Sequence, residues 1–165
     1  MDFTLRPWRE DDLKSLVKHA NNKNIAENMM DQFPHPYEEA NGKMFLAFAT
    51  KDSPVHIFAI DVNGEAVGGI GIHPQGDVLR KNAELGYWLS ESFWSKGIIS
   101  RAIPQVLDFA FKTYEITRVY ARPFGTNIAS QKVLEKTGFK LEAKLEKTIF
   151  KNGEFQDELI YAVRR

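Results

Sequence analysis

Residues 84–89 read Glu84-Leu85-Gly86-Tyr87-Trp88-Leu89, and residues 93–100 read Phe93-Trp94-Ser95-Lys96-Gly97-Ile98-Ile99-Ser100. The first stretch has the apolar and aromatic content of a strand, and the second opens a long helical pattern over residues 97–114. A strand therefore passes through a tight loop into a helix. The first N–H groups of a helix find no carbonyl within it, and the helix dipole puts partial positive charge behind them, so such a start attracts anions. Gly97 removes the side chain where an anion would approach, and Lys96 adds a charge. On these grounds residues 96–101 are a candidate phosphate or pyrophosphate site. An ordinary glycine helix cap is the competing reading. The stretch is neither a P-loop nor a dinucleotide fingerprint, because GxxxxGK(S/T) and GxGxxG are both absent.

Outward from this stretch the patterning alternates between strands and helices. Residues 3–6 alternate and end at Pro7, which predicts a short first strand. Leu13, Leu16, Val17 and Ala20 fall at helical spacing behind the acidic run Glu10-Asp11-Asp12. A short helix is expected over 25–30, then a loop at Phe33-Pro34-His35-Pro36-Tyr37, then a helix over 38–50 with Met44, Phe45 and Phe48 facing inward. Strands at 56–62 and 66–73 flank Asn63-Gly64, a strong hairpin signal. A strand over 83–89 precedes the helix over 97–114, which sets Ile99, Ala102, Ile103, Val106 and Ala110 on one face. Pro104 inside that helix predicts a kink or a distorted first turn. A strand at 117–122, a helix at 127–136 ended by Gly138, and strands at 139–150 and 154–163 around Asn152-Gly153 complete the chain. This order describes a mixed α/β layer fold.

The length of 165 residues is that of one domain. Apolar residues at 43% and charged residues at 27% suit a soluble globular protein. Lys plus Arg and Asp plus Glu both number 22, a balance that argues against bulk binding to nucleic acid or an anionic membrane. Cysteine is absent, which removes thiol catalysis and cysteine-based metal sites and fits a reducing compartment. No apolar stretch approaches a membrane span, and no signal peptide is recognisable, so a cytoplasmic location is expected. The four histidines, His19, His35, His56 and His73, lack metal-ligand spacing, so no metal is expected.

A second constellation is Asn127-Ile128-Ala129-Ser130, with Leu134 and Gly138-Phe139 beyond it. Asn127, Ser130 and Leu134 share one helix face, and Asn127 is also a natural N-cap. With Leu5-Arg6-Pro7, Glu10-Asp11-Asp12-Leu13 and the two stretches quoted first, this order and spacing resembles the GNAT N-acetyltransferase superfamily, in particular its ribosomal-protein N-terminal acetyltransferase-like branch. The resemblance implies a central mixed, mostly antiparallel sheet of about six or seven strands flanked by about four or five helices, with CoA in a splay between two central parallel strands. It implies acetyl-CoA as co-substrate and a primary amine as acceptor, either a protein N-terminal α-amine or a small molecule such as a polyamine, amino sugar or antibiotic. A non-catalytic acyl-CoA sensor on the same fold is a further reading. A homodimer is compatible with the branch, but nothing in the sequence locates its interface.

The resemblance further implies which residues do the work. The family's loop pattern Q/R-x-x-G-x-G/A falls on Trp94, Gly97 and Ile99, so that Trp94, Ser95, Lys96, Gly97, Ile98, Ile99, Ser100 and Arg101 would cradle the pyrophosphate. Ile99 departs from the small residue expected there. Backbone groups of Trp88 and Leu89 would hold pantetheine or polarise the thioester, and Asn127 would bond CoA. The tyrosine general acid of many relatives is replaced by Leu134, leaving Ser130 as the substitute proton donor. Glu84 is the candidate general base, with a structural acid as the alternative. Met30, Phe33, His35 and Tyr37 lie in the segment that covers the acceptor in this fold.

Overall fold

Asn63 and Gly64 adopt φ of 53° and 86°, the left-handed pair that suits a two-residue hairpin turn. They join β2 (Ile57–Val62) to β3 (Glu65–Pro74), and Asn152 and Gly153, at 52° and 78°, join β6 (Lys140–Lys151) to β7 (Glu154–Arg164) in the same way. The structure, a computed structural model, describes residues 1–165. With β1 (Thr4–Pro7), β4 (Asn82–Leu89) and β5 (Arg118–Ala121), these strands form one seven-stranded sheet in the order β1-β2-β3-β4-β5-β7-β6. β4 and β5 run parallel, whereas β1–β2, β2–β3, β5–β7 and β7–β6 are antiparallel. The helices are α1 (Leu13–Ala20), α2 (Lys23–Ala26), α3 (Glu39–Thr50), α4 (Ile98–Thr113) and α5 (Ile128–Lys136). This is the mixed, mostly antiparallel architecture expected from the sequence. The predicted helix at 25–30 is shorter and earlier, because Asn22 caps it by accepting from the Asn24 amide at 2.8 Å.

The chain divides into two compact units, residues 1–71 with 87–98 and residues 72–86 with 99–165. In the first, Trp8 stacks on Trp88 at 6.5 Å and meets the edge of Phe45 at 5.2 Å. Of the three large residues expected to face inward on α3, only Phe45 packs against the core. Met44 and Phe48 are exposed, while Gly42, Leu46 and Ala49 are buried. Gly42 explains the rotation, since a Cβ there would come within 2.7 Å of Leu13 on α1. The two helices approach through a position with no side chain, and that contact outranks the apolar bulk of Met44 and Phe48. Arg6 on β1 donates to Asp12 at 2.8 Å and to Asp61 at 2.7 Å, tying the first strand to α1 and β2. Burial works against a charged Asp12, but the bonds from Arg6 and from the Arg9 amide outweigh it and hold its carboxyl below the ordinary range.

In the second unit, Ile72, Ile103, Val106, Val119 and Leu134 are fully buried. The predicted apolar face of α4 is present at Ala102, Ile103, Val106 and Ala110, with Ile99 half-buried at its start. Pro104 lies on the exposed side of α4, where the helix continues through it to Thr113. Gly138 takes φ of 94° after α5, the left-handed stop expected of it.

Candidate functional site

β4 ends against β3 at Trp88 and Leu89. A Cβ at Gly68 would lie 2.6 Å from the Trp88 carbonyl oxygen and 3.1 Å from the Leu89 Cα, so only glycine admits this approach. The Ser90 amide then donates to the Val67 carbonyl at 2.9 Å. Ser90 and His19 are both buried. His19 Nδ1 lies 2.9 Å from Ser90 Oγ and its Nε2 lies 2.8 Å from Glu65. Lys18 and His19 together hold Glu65 below the usual carboxylate range. The strand end is therefore pinned by backbone on one side and by a polar chain on the other.

The loop that follows is held by its own side chains. The Trp94 indole N–H donates to the Leu89 carbonyl at 2.7 Å, closing the turn back onto the strand. Ser95 and Gly97 adopt φ of 60° and 70°, so two left-handed residues shape the loop where the sequence marked only one. The Lys96 ammonium sits 5.1 Å over the Phe93 ring, and Phe93 meets His19 edge-on at 6.1 Å. Ser95, Lys96 and Gly97 are exposed, Ile98 is buried, Ile99 and Ser100 are half-buried and Arg101 is exposed. Ile98, not Ile99, is the residue that roots the helix start in the core.

The four acceptor-side residues divide by burial. Tyr37 is only 4% exposed and belongs to the apolar core, and burial pushes its phenol up to about 12. Phe33 packs on Tyr37 at 5.1 Å and on Trp88 at 5.6 Å. Met30 and His35 are exposed. The segment is thus an aromatic base, Phe33 and Tyr37, carrying an exposed rim.

In the second unit, β4 and β5 pair only through Asn82↔Arg118, Ala83↔Val119 and Glu84↔Tyr120. The register ends there, although β4 runs on to Leu89. Glu84, at the last pair, is partly exposed and lies 3.4 Å from Arg122 Nε. The same guanidinium lies 3.2 Å from Glu158, so Arg122 is shared by two carboxylates. The Tyr120 hydroxyl is 3.5 Å from Glu84, and burial, followed by the Glu84 charge, raises its pKa. Asn127 caps α5, its side-chain oxygen accepting from the Ser130 amide at 3.2 Å. Its amide group remains a donor. Leu134, one turn beyond Ser130, is fully buried in the core, so the position that carries tyrosine in many relatives serves packing here.

Sequence reasoning missed Arg122, Tyr120 and Glu158 around Glu84, and Ser90 with His19 beside the loop. Tyr120 carried a usable signal, because its strand is the parallel neighbour of the strand bearing Glu84. Glu158 and His19 carried none, since both partners come from distant parts of the chain.

A model of the acetyltransferase (GNAT) domain matches residues 2–140. A Bacillus subtilis (strain 168) protein, provisionally named ribosomal N-acetyltransferase YdaF, is 35% identical over 101 residues, which is 61% of this chain and 55% of that protein. The spermidine N(1)-acetyltransferase of Escherichia coli (strain K12) is 25% identical over 161 residues, 94% of this chain and 82% of that protein. Among solved structures, RimL, a ribosomal L7/L12 alpha-N-protein acetyltransferase in complex with coenzyme A, superposes with a TM-score of 0.85 at 22% identity, covering 98% of this chain and 93% of that one. The chain spans about half the length of several curated relatives that it matches. With the strand order, the early end of β4–β5 pairing and the family match in agreement, the chain belongs to the acetyltransferase (GNAT) domain family.

Proposed function

We propose that the chain is an N-acetyltransferase that moves the acetyl group of acetyl-CoA to a primary amine, as one domain over residues 1–165 working in the cytoplasm. The observation that carries this reading is the run from β4 into α4. The strand leaves its partner at Glu84, continues to Leu89, and enters a loop with two left-handed residues that opens a 16-residue helix. In this reading pantetheine lies along the part of β4 that β5 leaves unpaired. Backbone groups of Trp88 and Leu89 bind it and polarise the thioester carbonyl. Residues 94–101 and the first turn of α4 take the pyrophosphate, and Asn127 donates its amide to CoA.

The amine must attack as the neutral form. Its nitrogen forms a bond to the acetyl carbon while the carbon–sulfur bond breaks. Glu84 accepts the amine proton, directly or through a water, and Ser130 donates a proton to the leaving thiolate. Met30, Phe33, His35 and Tyr37 form the acceptor side, with Phe33 and Tyr37 as its rigid base. A protein N-terminal α-amine is the first acceptor to test. Such an amine has a pKa of about 7.7–8.0, against about 10.4 for an alkylamine, and asks less of the base. The names of YdaF and RimL support it. A small polyamine is the second reading, favoured by the spermidine acetyltransferase match over 94% of the chain.

The test is release of the CoA thiol from acetyl-CoA with an N-terminal peptide and with spermidine. Turnover is expected with one of them. Glu84→Gln should lower kcat by about 10²–10⁴ while acetyl-CoA still raises the melting temperature. Equal rates in both proteins would remove Glu84 as the base. Binding of acetyl-CoA without CoA release for any amine would make the chain a sensor instead.

A further inference from the structure

Residues 19–24, where α1 ends and α2 begins, read His19-Ala20-Asn21-Asn22-Lys23-Asn24. Asn22 caps α2 with its side-chain oxygen, which accepts from the Asn24 amide at 2.8 Å. A cap uses only that oxygen, and the NH2 group of the same side chain is left to bond elsewhere. It donates to one carboxylate oxygen of Glu91 at 2.7 Å, and the Asn24 side-chain NH2 donates to both oxygens at 3.1 Å. Glu91 opens the 3-10 turn Glu91–Phe93, which joins β4 to the loop at 94–101. His19 holds the same stretch, through Ser90 Oγ at 2.9 Å and through the edge of Phe93, the ring that carries Lys96.

The charge of Glu91 runs against the purpose read into the loop. A carboxylate a few residues before Lys96 repels the phosphates that the loop would receive. Asn22, then Asn24, hold that carboxyl below its ordinary range, so it is ionised at neutral pH. A charge that hinders the ligand yet takes three hydrogen bonds from the α1–α2 junction has a use in holding the backbone.

We propose that Asn22, Asn24 and Glu91 form a clamp that positions the loop after β4 for acetyl-CoA, the three acting as positioning residues outside the reacting atoms. The inference rests on the reading of residues 94–101 as the acetyl-CoA loop. A loop that spends only a fraction of its time in the binding form shows an affinity lowered by that fraction. The test is calorimetric titration of the full chain with acetyl-CoA, well below the melting temperature of every variant. Glu91→Ala removes a negative charge beside the loop, so charge alone would tighten binding, whereas loss of the clamp should raise Kd about fivefold. Asn22→Asp keeps the oxygen that caps α2 but sets a second carboxylate against Glu91, and should raise Kd at least as much. The double variant N22D/E91Q restores a donor and an acceptor with their places exchanged, and should bring Kd back to within about twofold of wild type. In the ligand-free protein, hydrogen exchange over residues 90–97 should quicken in Glu91→Ala while that over residues 140–151 stays as it is. Equal or tighter binding in Glu91→Ala, a double variant no better than Asn22→Asp, or unchanged exchange over residues 90–97 would each overturn the clamp while leaving the loop reading intact. Failure of the wild type to bind acetyl-CoA would overturn the loop reading itself, and the role of the clamp with it.

Discussion

Gly68→Ala is the substitution that should report most directly on how the end of β4 is built. The added methyl would stand 2.6 Å from the Trp88 carbonyl oxygen, 3.0 Å from Leu89 Cδ1 and 3.1 Å from Leu89 Cα. Two of those three neighbours are backbone, which cannot rotate away, so β3 and the end of β4 must separate. Overpacking of this kind costs about 1–3 kcal/mol. Loss of glycine's freedom in the unfolded chain returns about 0.4–1 kcal/mol. The net destabilisation is centred on about 1.3 kcal/mol, which lowers the melting temperature by about 3–5 °C for a domain of this size. Gly76→Ala is the control, because a Cβ there meets nothing within 4 Å and its φ is −115°, so stability should hold or rise slightly. Both are read by thermal unfolding followed by circular dichroism, with and without acetyl-CoA. A ligand at about 100 times its Kd adds about 2.7 kcal/mol. Displacing the Trp88 carbonyl should shrink that increment in Gly68→Ala and leave it whole in Gly76→Ala. If Gly68→Ala melts at or above the wild-type temperature, the close approach of β3 to β4 is not what positions the strand end.

Two further outcomes follow from particular bonds. Trp94→Phe keeps an aromatic side chain, smaller than the indole, and removes the 2.7 Å bond to the Leu89 carbonyl, so the loop should loosen at a stability cost of about 1 kcal/mol, with KM for acetyl-CoA rising more than kcat falls. Asp12→Asn should cost about 1.5–3 kcal/mol at neutral pH, where Arg6 loses one of its two charged partners and keeps Asp61. The folded carboxyl titrates below its unfolded value of about 3.9, so the stability it contributes is present above that pH and disappears as pH falls through the folded value. Denaturant melts between neutral pH and about pH 3 should therefore show the gap between wild type and Asp12→Asn closing in acid; a gap independent of pH would detach it from this ion pair.

Local signals in the sequence described most of the sheet and the loop. Asn63-Gly64 and Asn152-Gly153 name their turns because a φ above zero at both positions is what a tight hairpin requires, and the structure has it at all four residues. Gly97 marked the start of α4 as a residue without a side chain, and the structure adds a φ of 70° there. Ser95 carried no such signal, since a serine at φ of 60° is held there by the loop around it and leaves no mark in composition. α3 was misread for a related reason. Hydrophobic patterning weighs large side chains, whereas the contact between α1 and α3 is organised by Gly42, a residue that such a pattern counts as nothing.

The surroundings of Glu84 lay beyond sequence reading altogether, and they bear on how that carboxylate would act. Its partners come from β5 and from the segment just after it, and Glu158 comes from β7, 74 positions away in the chain. A carboxylate whose cation is shared with a second carboxylate is held in place by an ion pair that a proton or a cationic acceptor can rearrange. If Glu84 is the base as proposed, Arg122 would keep Glu158 beside it when that role is exercised, so that the guanidinium is never left without an acid beside it. The tyrosine missing at Leu134 leaves no phenol on α5, yet Tyr120 places one 3.5 Å from Glu84, kept protonated by burial and by that neighbouring charge. A carboxylate and a phenol thus stand side by side at the last paired residues of two parallel strands.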